Sequence, residues 1–169
     1  AEGLIDEPVF SFYLGDLKPF GRYGYDGELT IGGSDPNYYT GEITTVPLKS
    51  ADYWRISMDK ITVGGTEVTT PETTTAIVDS GTSLLVCPTT TMASIAESLN
   101  ATANFAGEYF VDCDADLPTM VVTIAGTDFT LEGSDLVLNS GGECLLMIMG
   151  MDLAGTGVGW ILGDGFMRK

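Results

Sequence analysis

Between Ala76 and Leu85 an apolar, β-branched run (Ala76-Ile77-Val78) delivers one carboxylate, Asp79, into a tight Ser80-Gly81 turn. The hydroxyl pair Thr82-Ser83 follows, and Leu84-Leu85-Val86 carries the chain away. No other stretch of the 169 residues combines a buried approach, a charged tip and a glycine hinge. An aspartate between such flanks is costly unless it is hydrogen-bonded or put to use. The Ser80 hydroxyl and the Gly81 and Thr82 amides are its nearest stabilising donors. Asp-Ser/Thr-Gly alone is a weak signal, arising by composition in about one chain in ten of this length; the apolar flanks and the extra hydroxyls raise it.

The rest of the sequence reads as β structure. Residues 4–14 alternate loosely around Val9, Phe10, Phe12 and Leu14 and predict a strand. Gly21 to Gly27 predicts a turn, Glu28 to Ile31 a return strand, and Ser34-Asp35-Pro36-Asn37 a turn or single helical turn. Ile43 to Leu48 and Trp54 to Met58 have strand character, and Gly64-Gly65 marks a hairpin. Met92, Ile95, Ala96 and Leu99 fall on one helical face after Pro88, which suits a first helical turn. Strands are expected again at Tyr109–Val111, Met120–Ile124, Phe129–Leu131 and Leu145–Met149, with a short turn near Ser134–Leu138 and a last buried run at Trp160-Ile161-Leu162-Gly163. Abundant Gly (22 residues) and threonine runs favour strands and tight turns over long helices.

Composition removes several kinds of chemistry. The chain has no histidine, which excludes Ser-His and Cys-His nucleophilic pairs and histidine-based zinc sites. Cys87, Cys113 and Cys144 lack metal-ligand spacing, and their odd number leaves at most one disulfide and one spare thiol. No cofactor or metal is expected. A net charge of −17 repels nucleic-acid phosphates and anionic membranes, and it suits either work at low pH or simple solubility. No membrane-length apolar run or signal peptide is visible, and the start at Ala1 reads as a processed or fragmentary product. The length fits one domain.

With these residues in place, the Asp79-Ser80-Gly81-Thr82 run resembles the second active-site motif of pepsin-like aspartic proteases. The likeness extends along the chain: Leu4 to Leu14 is similar to the opening of that family's C-terminal lobe. Tyr38-Tyr39-Thr40-Gly41, Val46-Pro47-Leu48, Tyr53-Trp54 and Leu162-Gly163-Asp164 follow in the family's order. The resemblance implies an all-β lobe, mainly antiparallel, with a psi-loop active-site motif and one or two short helices. It implies that residues 1–169 form the C-terminal lobe of a bilobal aspartic endopeptidase, with the N-terminal lobe and the final strands absent. Peptide bonds would be hydrolysed by a water activated between Asp79 and a second aspartate from that other lobe. Asp26-Gly27 and Asp164-Gly165 lack the intervening hydroxyl residue, so no second copy of the motif occurs here.

Carried over position by position, Asp79 is the catalytic carboxylate, Ser80 ties the two active-site loops together, Gly81 permits close backbone approach and Thr82 hydrogen-bonds the carboxylate. Tyr53, Ile77, Thr82, Leu153 and Ile161 match positions lining substrate subsites, with plain core packing the competing reading for Ile77 and Ile161. Trp160 to Gly163 matches the segment through which the family threads its active-site loop. Cys113 and Cys144 match a disulfide of this lobe, which implies an oxidising compartment, secreted or lysosome/vacuole-like and acidic. Cys87 stands where the family has a small residue and reads as a buried free thiol. The family's short disulfide loop before the catalytic strand is replaced by Thr69 to Thr75. Asn100-Ala101-Thr102 is a glycosylation sequon. Partners implied are the N-terminal lobe and peptide or protein substrates. The rival readings are a non-catalytic binding or structural module within a larger assembly, and a dimer in which two copies of Asp79 meet about a two-fold axis.

Overall fold

The computed structural model describes residues 4, 5, 7–15, 27–153 and 155–169. The turn expected over Gly21–Gly27 lies, but for Gly27, outside them. The chain divides into two compact units, the first comprising residues 1–45 with Arg168 and the second residues 46–167 with Lys169. In the first unit β1 (Phe10–Leu14) pairs antiparallel with β2 (Gly27–Ile31), Phe12 opposite Leu29. A 3-10 turn follows at Pro36–Tyr38, opened by the Asp35 carboxylate accepting from the Asn37 amide at 2.8 Å. The strand expected over residues 4–14 therefore starts only at Phe10.

The second unit begins with β3 (Leu48–Ala51), β4 (Trp54–Ser57), β5 (Lys60–Val63), β6 (Thr66–Glu67), β7 (Thr75–Val78) and β8 (Leu85–Cys87). Helix α1 (Thr89–Ser98) comes next, then β9 (Thr102–Ala103), β10 (Tyr109–Val111), β11 (Met120–Ile124) and β12 (Thr127–Leu131). The unit closes with β13 (Val137–Ser140), β14 (Glu143–Leu146), β15 (Ile148–Gly150), β16 (Trp160–Leu162) and the one-turn helix α2 (Asp164–Met167). Six strands form one sheet in the order β15-β8-β16-β7-β4-β3. Two four-stranded sheets run β12-β11-β5-β6 and β13-β14-β10-β9. Among the described residues the result is mainly antiparallel β with two short helices, as the family resemblance implies; apolar periodicity alone predicts only α1.

Three expectations need correcting. Ile43 to Leu48 is irregular up to Pro47, and the strand begins at Leu48; Pro47 has no N–H to give a ladder. The single strand expected over Leu145–Met149 is two, broken at Met147, whose amide bonds back to Leu136 O at 2.8 Å. Pro88 stands one residue earlier than expected, as N-cap rather than inside the first turn of α1.

Met92, Ile95 and Ala96 of α1 and the capping Leu99 are buried in one core with Trp160, Leu85, Ile61 and Met120. The helix ends on Asn100, at φ 53°, with Asn100 N–H donating to Glu97 O (3.2 Å) and Ala101 N–H to Ala96 O (2.8 Å). This is a Schellman stop, whose left-handed position is usually glycine and sometimes asparagine.

The hairpins β5–β6 and β11–β12 both use two-residue loops with positive φ. The first is Gly64-Gly65, as predicted; the second is Ala125-Gly126, where alanine sits at φ 50°. An L-residue with a Cβ is strained there by about 1 kcal/mol. Asparagine keeps a Cβ but tolerates this conformation better through local hydrogen bonding, so Ala125→Asn is expected to stabilise the protein by about 0.5 kcal/mol, read as a higher urea midpoint with an unchanged slope.

Candidate active site

The Asp79 turn is held by threading. Strand β7 leads in and β8 leads out, yet they do not pair with each other; β16 lies between them. It runs parallel to β7 (Ile161 opposite Ile77, Leu162 opposite Val78) and antiparallel to β8 (Ile161 opposite Val86). The Asp79 amide donates to Leu162 O at 3.0 Å, the Asp164 amide to Thr82 O at 2.8 Å and the Gly165 amide to Ser83 O at 3.1 Å. Both arms of the turn are thus bonded to residues 162–165. Gly163 makes this approach possible, because a Cβ there would overlap the Thr82 and Leu84 carbonyl oxygens.

Asp79 is half-buried. Its Oδ1 accepts from the Gly81 amide at 2.9 Å and its Oδ2 from the Thr82 hydroxyl at 2.6 Å, the short distance of a charge-assisted bond. Of the three donors nearest in sequence, the Gly81 amide serves the carboxylate and the other two do not. The Thr82 amide turns to the Asp79 carbonyl at 3.3 Å, while Ser80 is exposed and its hydroxyl has no partner among the described residues.

Asp79 lines an open cleft of about 710 Å³, within the range of small-molecule and cofactor sites. Register explains its lining. Ile161, Ile77, Arg55 and Ser50 lie in one row across β16, β7, β4 and β3. Strand alternation turns the Ile77 and Ile161 side chains into the cleft while Ala76, Trp160 and Ile56 point to the core. Tyr53 and Leu153 add walls from the β3–β4 turn and from the loop after β15. The structure therefore brings Asp79, Tyr53, Ile77, Leu153 and Ile161 to one concavity. Thr82 does not line it; its hydroxyl is committed to Asp79. Tyr53 and Trp54 are more than half exposed on the cleft wall.

Away from the cleft, Cys113 and Cys144 are disulfide-bonded, closing 31 residues between the end of β10 and β14. On a chain-entropy account such a loop contributes about 3.7 kcal/mol. Cys87 is free and buried, and burial pushes its thiol up to about 12, so it stays protonated and unreactive. Asn100 is exposed at the end of α1. Among the described residues no group of three or more His, Cys, Asp or Glu could hold a metal ion, and no helix is long and apolar enough to cross a membrane.

Sequence reasoning missed the polar groups that hold the cleft walls. Helix α1 has no capping side chain of its own, since Pro88 is the N-cap. Asp152, next to Leu153, supplies the cap from 63 residues away: its Oδ1 accepts from the Thr89 amide at 3.0 Å, and both its oxygens from the Thr89 hydroxyl at 2.9 Å. The Thr89 amide first, then its hydroxyl, hold the Asp152 carboxyl below its ordinary value of 3.8. A carboxylate with a lowered folded-state value stabilises the fold above its unfolded value, and the contribution is lost as pH falls through the lowered one. Asp152→Ala is therefore expected to lower Tm at neutral pH and to converge with the unmodified protein in strong acid. A difference that stays constant across the pH series would contradict it.

Asp79 is thus a carboxylate fixed at a threaded turn and lining a cleft with Ile77, Leu153 and Ile161. The chain belongs to the eukaryotic aspartyl protease family, whose model matches residues 1–169. It is 41% identical over 171 residues to vacuolar protease A of Aspergillus fumigatus, covering 99% of this chain and 42% of that one. Pepsin A of Rhinolophus ferrumequinum is 40% identical over 171 residues and pepsin II-1 of Oryctolagus cuniculus 38% over 172, each over 99% of this chain and 43% of the relative. The chain thus spans about two fifths of the length of these curated relatives.

Proposed function

We propose that this chain is the C-terminal lobe of a bilobal aspartic endopeptidase and supplies one of its two catalytic carboxylates, Asp79. The observation that carries the reading is the doubly hydrogen-bonded Asp79 lining the cleft together with Ile77, Leu153 and Ile161. The second carboxylate comes from the part of the protein that this chain does not span. Two such acids close together cannot both ionise cheaply, the behaviour already established for this family's dyads, so one keeps a proton while the other acts as base. The ionised member takes a proton from a water between them, and the protonated one polarises the scissile carbonyl. Ser80, exposed and next to Asp79 in sequence, would bond the facing active-site loop through its hydroxyl. The apolar lining favours peptides with apolar residues flanking the cut.

The names of the relatives, vacuolar protease A and pepsin, support the same chemistry. A vacuolar or secreted acidic compartment accords with those names and with the Cys113–Cys144 bond. The test is cleavage of an unstructured polypeptide at acid pH by the full-length protein. Loss of cleavage in Asp79→Asn is the expected result, and retained cleavage overturns the reading.

A further inference from the structure

The two walls of the cleft come from segments a hundred residues apart, and Arg55 ties them together. Its Nη2 lies 3.1 Å from Asp52 Oδ2, and its Nη1 donates to the Thr156 carbonyl at 3.3 Å. Asp52 is itself pinned, its Oδ1 accepting from the Ser50 hydroxyl at 2.6 Å and from the Tyr53 amide at 2.7 Å. On the other side the Thr156 hydroxyl donates to Leu153 O at 2.6 Å, and the Val158 amide donates back to that hydroxyl at 3.1 Å. One unbroken chain of polar contacts therefore runs from the backbone of Tyr53 through the guanidinium to the backbone of Leu153. Arg55 also stands opposite Ile77 in the sheet, two residues from Asp79.

We propose that Arg55 is a positioning residue that sets the separation of the Tyr53 and Leu153 walls, and through it which side chains a bound peptide can place between them. This rests on the peptidase reading above. A purely stabilising role fits the same atoms poorly. Asp52 is 46% exposed on its side chain, and ion pairs of that kind add little to stability. The Arg55 Nε is buried with no acceptor among the described residues, which is a cost. What the guanidinium supplies is a rigid planar fork with two arms in use, one on each wall, which a lysine cannot reproduce.

The test uses the full-length protein and a peptide series varied between alanine, leucine and phenylalanine on either side of the cleaved bond. Arg55→Met is expected to raise KM for the best peptide about tenfold, to change kcat less than threefold, and to flatten the preference for large over small residues at one position. Arg55→Lys should not restore the preference. Asp52→Asn should act in the same direction, and the double variant should be no worse than Arg55→Met alone. An unchanged KM and preference in Arg55→Met, an equal fall in kcat and kcat/KM, or full rescue by Arg55→Lys would each overturn the proposal. Should the unmodified protein not hydrolyse peptides, the peptidase reading fails separately, and Kd values for the same series by fluorescence anisotropy decide on Arg55. A leucine-over-alanine ratio that Arg55→Met leaves unchanged would then overturn it. If Arg55→Met does not fold, Asp52→Asn carries the same readouts.

Discussion

Asp79→Asn is expected to lower kcat/KM of the full-length protein for peptide hydrolysis by about a thousandfold or more, the range lost when a positioned acid–base group is removed. The substitution is nearly isosteric. An asparagine Oδ1 still accepts from the Gly81 amide, and only the bond with the Thr82 hydroxyl reverses direction, the amide Nδ2–H donating to that oxygen. Stability should therefore fall by about 1 kcal/mol or less, the net value of one hydrogen bond. That contrast separates a catalytic role from a structural one. An equal loss of folding and activity would point to Asp79 as a linchpin of the turn, whereas intact activity would remove it from the chemistry altogether.

The second large effect is expected from Gly163→Ala. The added Cβ meets two backbone carbonyl oxygens, those of Thr82 and Leu84, so no rotamer change relieves it. Thr82 O is also the acceptor for the Asp164 amide, and moving it breaks a bond that closes the turn. We expect a loss of about 4 kcal/mol or more, in the tail of single-substitution effects, with activity lost alongside. Gly33→Ala is the control: it has ordinary φ and nothing within 4 Å of the new methyl group, and it should cost at most about 0.5 kcal/mol. Thermal melts of the two variants side by side decide the matter. A Gly163→Ala protein that melts with the unmodified one would mean that the threaded segment is free to withdraw from the turn.

Much of the fold is legible in the sequence where burial and turn chemistry act locally. Tyr109–Val111 and Met120–Ile124 form strands with the predicted bounds, and Gly64-Gly65 turns a hairpin, because apolar runs and glycines at positive φ report on themselves. Short polar strands do not. Thr102–Ala103 and Val137–Ser140 become strands only because β10 and β14 present ladders to them. The opposite error occurs at Ile43 to Thr45, a run with strand propensity that gains no partner. Within the site, Asp79 announces itself through its flanks, and its bond to Thr82 follows from the family resemblance. Asp52 and Arg55 pair only three residues apart, but the contact that carries Arg55 across the cleft, to Thr156, spans 101 residues and that of Asp152 to Thr89 spans 63, distances over which spacing carries no signal.

The position of β16 between β7 and β8 also governs when the site can come into being. Ile77 and its neighbour Ile161 are separated by more than eighty residues, so the turn around Asp79 stays unclosed while those residues are still being made. At about 5–20 residues per second on the ribosome, that interval is on the order of several seconds. Closing so wide a loop is also an intrinsically slow, entropy-limited step. A nascent chain therefore emerges with its acidic turn unlocked, and the lock follows only once residues 160–165 have been made, a built-in delay between making the residue and making the site.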